Sequence, residues 1–233
     1  IMKVLILAGG FGTRLSEYTK TLPKPMIKIC GKPIITYIIN HYEKFGFNEF
    51  IIATGYKKDV INEYFKKYKT ESNIKTIYTG LKTMTGGRLR RLKKIIGNET
   101  FLMTYGDGIS DPNINQLIKL HKKNKNIATL TAVRPPARFG AIKLNSNKVT
   151  YFKEKSHLDT GWINGGFFVF EPKIFKYIKS DSTILERLPM QSVSKKKKLG
   201  AFKHSGFWQC MDTLRDKEIL EKKIRNKEHL EKK

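Results

Sequence analysis

At 233 residues the chain is long enough to bury one α/β core with a small elaboration and short for two. Its 46 lysines and arginines against 20 acidic residues give a net charge of +26, which would suit nucleic acid. The basic residues are scattered, however, with clusters only at Lys195–Lys198 and from Lys222 to Lys233 and no interleaved aromatics to stack bases, so solvated lysine-rich faces account for the charge. Cys30 and Cys210 form no metal spacing or disulfide framework, which points to a reducing compartment, and no apolar run is long enough for a secretory leader or a membrane span. A cytoplasmic protein is expected.

The run Lys3 to Ala8 is short, apolar and rich in branched residues, as a strand covered on both faces requires. It ends at Gly9-Gly10-Phe11-Gly12, where the glycines can open backbone angles closed to other residues and aim N–H groups at an anion. Thr13 and Arg14 add a hydroxyl and a fixed positive fork. The spacing is neither a dinucleotide fingerprint, since Leu15 occupies the third glycine position, nor a Walker loop. Pro23-Lys24-Pro25 follows, and its prolines predict a lysine held on a stiff, extended segment.

Gly31-Lys32-Pro33 predicts a helix with proline in its first turn, and Ile34, Ile35, Ile38, Ile39, Tyr42 and Phe45 give it one apolar face. A strand over 48–53, a helix over 59–67 and a strand over 74–78 complete a βαβαβ pattern. A helix is expected from Gly87 to Ile96 and a buried strand from Phe101 to Tyr105, ending on Gly106-Asp107-Gly108. Strand-like runs then cover 128–133, 140–144, 149–153 and 162–170 with few helices between them, and a polar helix closes the chain from Thr213 to about His229. The expected class is α/β with a mixed, mostly parallel central sheet covered by helices on both faces, ligands lying at the carboxyl ends of its strands. One domain is expected, with a first half over about 1–125 and a second half with the closing helix over about 126–233.

Several residues carry two readings on sequence alone. Asp107 is a strand-end ligand or a turn aspartate, and Asp212 a ligand or the N-cap of the last helix. Thr83, Thr85, Gly86, Gly87 and Arg88 are a second glycine turn that meets a ligand or simply a capped helix start. Glu154-Lys155 is a binding pair or a surface ion pair.

The Gly9–Leu15 loop with Pro23-Lys24-Pro25 resembles the signature of the sugar-1-phosphate nucleotidylyltransferases. "TMTGGRLRRLK" (Thr83 to Lys93), "TYGDG" (Thr104 to Gly108), "FGAI" (Phe139 to Ile142), "FKEK" (Phe152 to Lys155), "INGGFFV" (Ile163 to Val169) and "GFWQCMDTLRD" (Gly206 to Asp216) resemble the cytidylyl branch, which makes CDP-glucose. The resemblance runs almost end to end. It implies a Rossmann-like nucleotidyltransferase fold and an in-line attack of a sugar phosphate on the α-phosphorus of CTP. It also implies that Leu7, Ala8, Gly9, Gly10, Gly12 and Thr13 hold the nucleotide while Arg14 and Lys24 stabilise the reacting phosphates. Thr83, Gly86, Gly87 and Arg88 would meet base and ribose, and Glu154, Lys155, Asn164 and Gly165 would bind glucose 1-phosphate. Asp107 and Asp212 would hold Mg2+. A homo-oligomer is implied as well, although the segment between Phe65 and Thr79 is shorter here than the insertion its relatives carry. The nearest rival keeps this chemistry with another sugar 1-phosphate or another nucleoside triphosphate, and the rivals from other classes are a basic nucleic-acid-binding module and a catalytically silent nucleotide-sugar sensor.

Overall fold

A computed structural model describes residues 2–135, 141–153 and 161–231. In chain order, β1 (Val4–Ala8) leads through the short α1 (Ser16–Thr19) to a two-residue ribbon, β2 (Lys28–Ile29) with β3 (Lys32–Pro33), and then α2 (Ile34–Glu43). Next come β4 (Glu49–Thr54), α3 (Lys58–Lys67), β5 (Asn73–Tyr78), α4 (Thr85–Ile96) and β6 (Phe101–Tyr105). The rest holds β7 (Gly108–Ser110), α5 (Ile114–Lys123), β8 (Ala128–Val133), β9 (Ala141–Asn145), β10 (Lys148–Lys153) and β11 (Ile163–Phe170). It closes with α6 (Leu188–Lys195), β12 (Leu199–His204), β13 (Trp208–Cys210) and α7 (Leu214–Glu231).

Seven strands form the central sheet in the order β12-β8-β11-β6-β1-β4-β5. β1 runs parallel to both β4 and β6, β4 to β5, and β12 to β8, while β11 alone is antiparallel to its neighbours β6 and β8. β1 is buried along its whole length because its side chains alternate between two cores. Leu5 and Leu7 pack with Leu89 and Leu92 of α4 and with Phe168 and Phe170, whereas Val4 and Ile6 pack with Ile35, Ile38 and Tyr42 of α2 and with Leu117 of α5. Helices therefore cover both faces, as the sequence pattern implies. A third apolar cluster joins Leu15, Ile27, Ile29 and Ile34 to Met211 and to Leu220 of α7.

Three local readings differ. Pro33 precedes α2 as its cap instead of lying within the first turn, because Lys32 and Pro33 are paired with β2. α4 opens at Thr85, two residues before the expected start. α5, α6 and β12 were not anticipated; α5 carries an Asn113 cap accepting from Gln116 N at 3.0 Å and apolar Ile114 and Leu117 one turn apart, a legible signal, whereas β12 is a half-exposed edge strand with little alternation. Among the described residues no helix is long and apolar enough to cross a membrane.

The order of the strands positions the site. Connections from β1 and β6 leave their shared border in opposite directions, which opens a crevice beyond the carboxyl ends of these two strands. The glycine loop leaves β1 there, and Asp107 leaves β6.

Candidate active site

Gly12 takes φ 66°, a left-handed conformation that suits glycine, and opens a 3-10 turn, Thr13–Leu15. Thr19 Oγ1 donates to the Gly12 carbonyl at 3.2 Å and to that of Leu15 at 3.1 Å, fixing the far side of the loop. The near side is fixed by Arg88. Its guanidinium donates to the carbonyls of Gly9 at 2.8 Å, Gly80 at 2.9 Å and Thr54 at 3.1 Å and to Thr79 Oγ1 at 2.7 Å. A Cβ at Gly9 would lie 2.1 Å from Arg88 Nη1, so this glycine is needed for the arginine to pass. Arg88, expected beside base and ribose, is 4% exposed and binds the loop's own backbone. Burial lowers its pKa from the ordinary arginine value.

Lys24 does not lie on an extended segment: it opens a single 3-10 turn, Lys24–Met26, with Pro25 in the first positions, where a missing N–H costs nothing. Its Nζ donates to Asp107 Oδ2 and to Asp212 Oδ1, each at 2.7 Å. Arg14 Nη1 donates to the second oxygen of Asp212 at 2.8 Å. The two carboxylates meet because β13 pairs antiparallel with β7, setting Gly108 opposite Cys210, and Met211 N donates to the Asp107 carbonyl at 2.8 Å.

Asp212 is free for this role because two other residues cap α7. Thr213 Oγ1 accepts from Asp216 N at 3.2 Å, and Asp216 Oδ2 accepts from Thr213 N at 2.9 Å and from Asp212 N at 3.1 Å, a reciprocal capping box that also orients Asp212. Burial would raise the pKa of Asp212, but the hydrogen bond and charge of Lys24, then the charge of Arg14, hold it below the ordinary carboxylate value. Burial would lower that of Lys24, but Asp107 and then Asp212 outweigh it and raise the pKa. Next door, burial and the charge of Asp212 push the Cys210 thiol up to about 12.

Above these groups lies a cavity of about 630 Å³, within the usual size range of small-molecule sites. Of the residues expected from sequence, Leu7, Ala8, Gly9, Gly10, Gly12, Thr13, Arg14, Lys24, Thr83, Arg88, Asp107 and Asp212 line it. Gly86 and Gly87 do not. A Cβ at Gly86 would come within 2.8 Å of the Thr183 carbonyl oxygen and one at Gly87 within 2.3 Å of that of Asp181, so these glycines serve the approach of segment 181–183 to α4. Asn164 and Gly165 line a smaller adjoining hollow, which shares Tyr105 and Asp107 with the large cavity. Glu154 and Lys155 lie outside the described residues. Sequence reasoning missed Asp216, although Thr213-x-x-Asp216 is a readable capping signal, and it missed Tyr105 and Trp208, whose Nε1 donates to the Gly165 carbonyl at 2.8 Å.

The nucleotidyl transferase family profile matches residues 3–216. Glucose-1-phosphate cytidylyltransferase of Salmonella typhimurium is 44% identical over 243 aligned positions, covering 94% of this chain and 95% of that protein. A probable glucose-1-phosphate cytidylyltransferase of Bacillus subtilis is 39% identical, covering 92% and 93%. Among solved structures, HddC from Yersinia pseudotuberculosis superposes with a TM-score of 0.75 at 26% identity, covering 96% of this chain and all of that one. With its glycine loop, paired carboxylates and near-complete coverage, the chain belongs to the nucleotidyl transferase family.

Proposed function

We propose that the protein transfers a cytidylyl group from CTP to glucose 1-phosphate, giving CDP-glucose and pyrophosphate. The observation that carries this reading is the meeting of Lys24, Asp107, Asp212 and Arg14 at the mouth of the glycine loop. The named activity of the 44% and 39% identical relatives supports cytosine and glucose.

The reaction forms a bond from a sugar-phosphate oxygen to the α-phosphorus and breaks the bond from that phosphorus to the oxygen of the departing pyrophosphate. Its demand is to align two anions and to neutralise charge. Asp107 and Asp212 suit Mg2+, since both accept from one cation at 2.7 Å and this ion takes one or two carboxylates with phosphate and water oxygens completing its shell. When bound, the ion would neutralise phosphate charge as a Lewis acid. The exposed glycine loop receives the phosphates on backbone N–H groups. Lys24, held at the inner wall with a side chain 12% exposed, faces the α-phosphate, and the far more open Arg14 faces the leaving pyrophosphate. The adjoining hollow at Asn164 and Gly165 takes the sugar phosphate, with Glu154 and Lys155 as its hydroxyl and phosphate ligands. A homo-oligomer and a cytoplasmic setting complete the proposal.

Pyrophosphate release measured with four nucleoside triphosphates against a panel of sugar 1-phosphates tests it. CTP with glucose 1-phosphate is expected to give the highest kcat/KM. A lost base hydrogen bond costs roughly 1 to 3 kcal/mol, so other bases should fall about tenfold to a hundredfold behind. UTP or dTTP performing as well as CTP would overturn the assignment of the base.

A further inference from the structure

One carboxylate beside the cavity has no part in the chemistry above. Glu186 lies half-buried in the irregular segment between a 3-10 turn, Pro172–Tyr177, and α6. Its Oε2 accepts from Thr85 Oγ1 at 2.7 Å and its Oε1 from the Tyr105 hydroxyl. Both oxygens are taken by neutral hydroxyl donors, which orient the carboxylate toward its two protein partners.

The two partners stand on different walls. Thr85 opens α4 and lines the large cavity together with Thr83. Tyr105 ends β6 two residues before Asp107, and its ring separates the large cavity from the hollow at Asn164. A Cβ at Gly166 would lie 2.7 Å from that ring, so the ring is packed closely on its far side. Asn164 Nδ2 also reaches the Tyr105 hydroxyl, at 3.5 Å.

The polarity of the contacts leaves little freedom. Thr85 Oγ1 accepts from Leu185 N at 2.9 Å, so its own proton goes to Glu186. Burial, and then the Glu186 charge, push the Tyr105 phenol well above its ordinary pKa, so it remains a donor. The segment is anchored beyond the pair, since Met84 N donates to the Asp181 carbonyl at 2.9 Å and Gly87 N to that of Thr183 at 3.2 Å. Arg91 Nη2 holds the Asp181 carboxylate at 2.6 Å.

We propose that Glu186 is a positioning residue that fixes the spacing between the nucleotide loop around Thr83 and Thr85 and the Tyr105 wall of the sugar-phosphate hollow, so that one carboxylate sets both subsites relative to Asp107. The proposal rests on reading the large cavity as the nucleotide site. Glu186 touches neither substrate; it acts through Thr85 on one and through Tyr105 on the other.

Steady-state kinetics on the full chain with CTP and glucose 1-phosphate separate this role from a structural one. Glu186→Gln keeps the shape but offers one acceptor oxygen where two are used. Its KM should rise about tenfold for both substrates, with kcat within about threefold of wild type. Thr85→Val should raise the KM for CTP alone and Thr85→Ser, which keeps the hydroxyl, should restore it. Tyr105→Phe should raise the KM for glucose 1-phosphate alone. The Glu186→Gln/Tyr105→Phe double variant should weaken the sugar phosphate no more than the worse single change, since both remove one contact. If Glu186→Gln melts below the assay temperature, the Thr85 pair and Tyr105→Phe carry the same split. The proposal fails if both KM values in Glu186→Gln stay within twofold of wild type, if only kcat falls, or if the double variant is additive. A wild-type protein that releases no pyrophosphate from any nucleotide overturns the site reading itself; an active wild type with an unaltered Glu186→Gln overturns the positioning role alone.

Discussion

Replacing Lys24 with methionine removes the one cation that, among the described residues, touches both Asp107 and Asp212, while keeping most of the stem volume. The ammonium side chain is 12% exposed and the carboxylates are 33% and 27% exposed. Two carboxylate oxygens that each lie 2.7 Å from one nitrogen are at most about 5.4 Å apart, and two such charges repel by roughly 3 kcal/mol at an effective dielectric near 20. Partial exposure of both acids reduces this, so a loss of roughly 2 kcal/mol is expected, a fall in Tm on the order of 4 to 8 °C for a chain of this size. A divalent cation can take the vacated place. Millimolar Mg2+ should therefore raise the Tm of Lys24→Met clearly more than that of wild type, whose own ammonium competes for the same oxygens. Calorimetric melts with and without Mg2+, in the absence of nucleotide, read this directly, and turnover should be lost regardless. A variant melting within 1 °C of wild type, or equal Mg2+ shifts in the two proteins, would refute the reasoning.

Three further outcomes follow from the same contacts. Arg88→Lys cannot span the four acceptors that the guanidinium meets, and chemical denaturation should show a loss of about 3 kcal/mol; a change below 1 kcal/mol would mean that the loop holds its shape without this strut. Gly87→Ala, whose Cβ would strike the Asp181 backbone at 2.3 Å, should lower the Tm by several degrees, whereas Gly10→Ala, with nothing within 4 Å of the new Cβ, should not. Equal melts for those two variants would contradict the packing role of Gly87. With its thiol pushed up to about 12, Cys210 should react with an alkylating reagent at pH 8 roughly a thousandfold more slowly than an ordinary thiol, which mass spectrometry of a timed labelling course can check; labelling of Cys210 within minutes under conditions that label free cysteine would show that burial and the carboxylates beside it do not protect it.

Sequence by itself determined what depends on near neighbours in the chain. The unbroken apolar run Val4 to Ala8 marks a strand buried on two faces, the isoleucines of α2 mark a helix face, and the glycines between Gly9 and Gly12 mark a turn with a left-handed position at Gly12. Each signal is local because side-chain periodicity and backbone freedom are local properties. The family resemblance added names for Lys24, Asp107 and Asp212 but not their contacts. Lys24 and Asp212 are 188 positions apart, and they meet only because β13 pairs with β7. The N-cap reading of Asp212 gives way for a structural reason, since Thr213 and Asp216 form the cap in its place. The resemblance placed Arg88 beside base and ribose, with a solvated arginine at a helix start as the other reading; its burial follows from Gly9 and Gly55, two glycines on different segments that leave room for one guanidinium. Glu186 carried no signal at all, since an isolated glutamate in an irregular segment acquires meaning only from the hydroxyls the fold brings to it, 101 and 81 positions away. Those long-range encounters are fixed by strand order and by the closure of segments over the sheet, and no window of the sequence contains both partners.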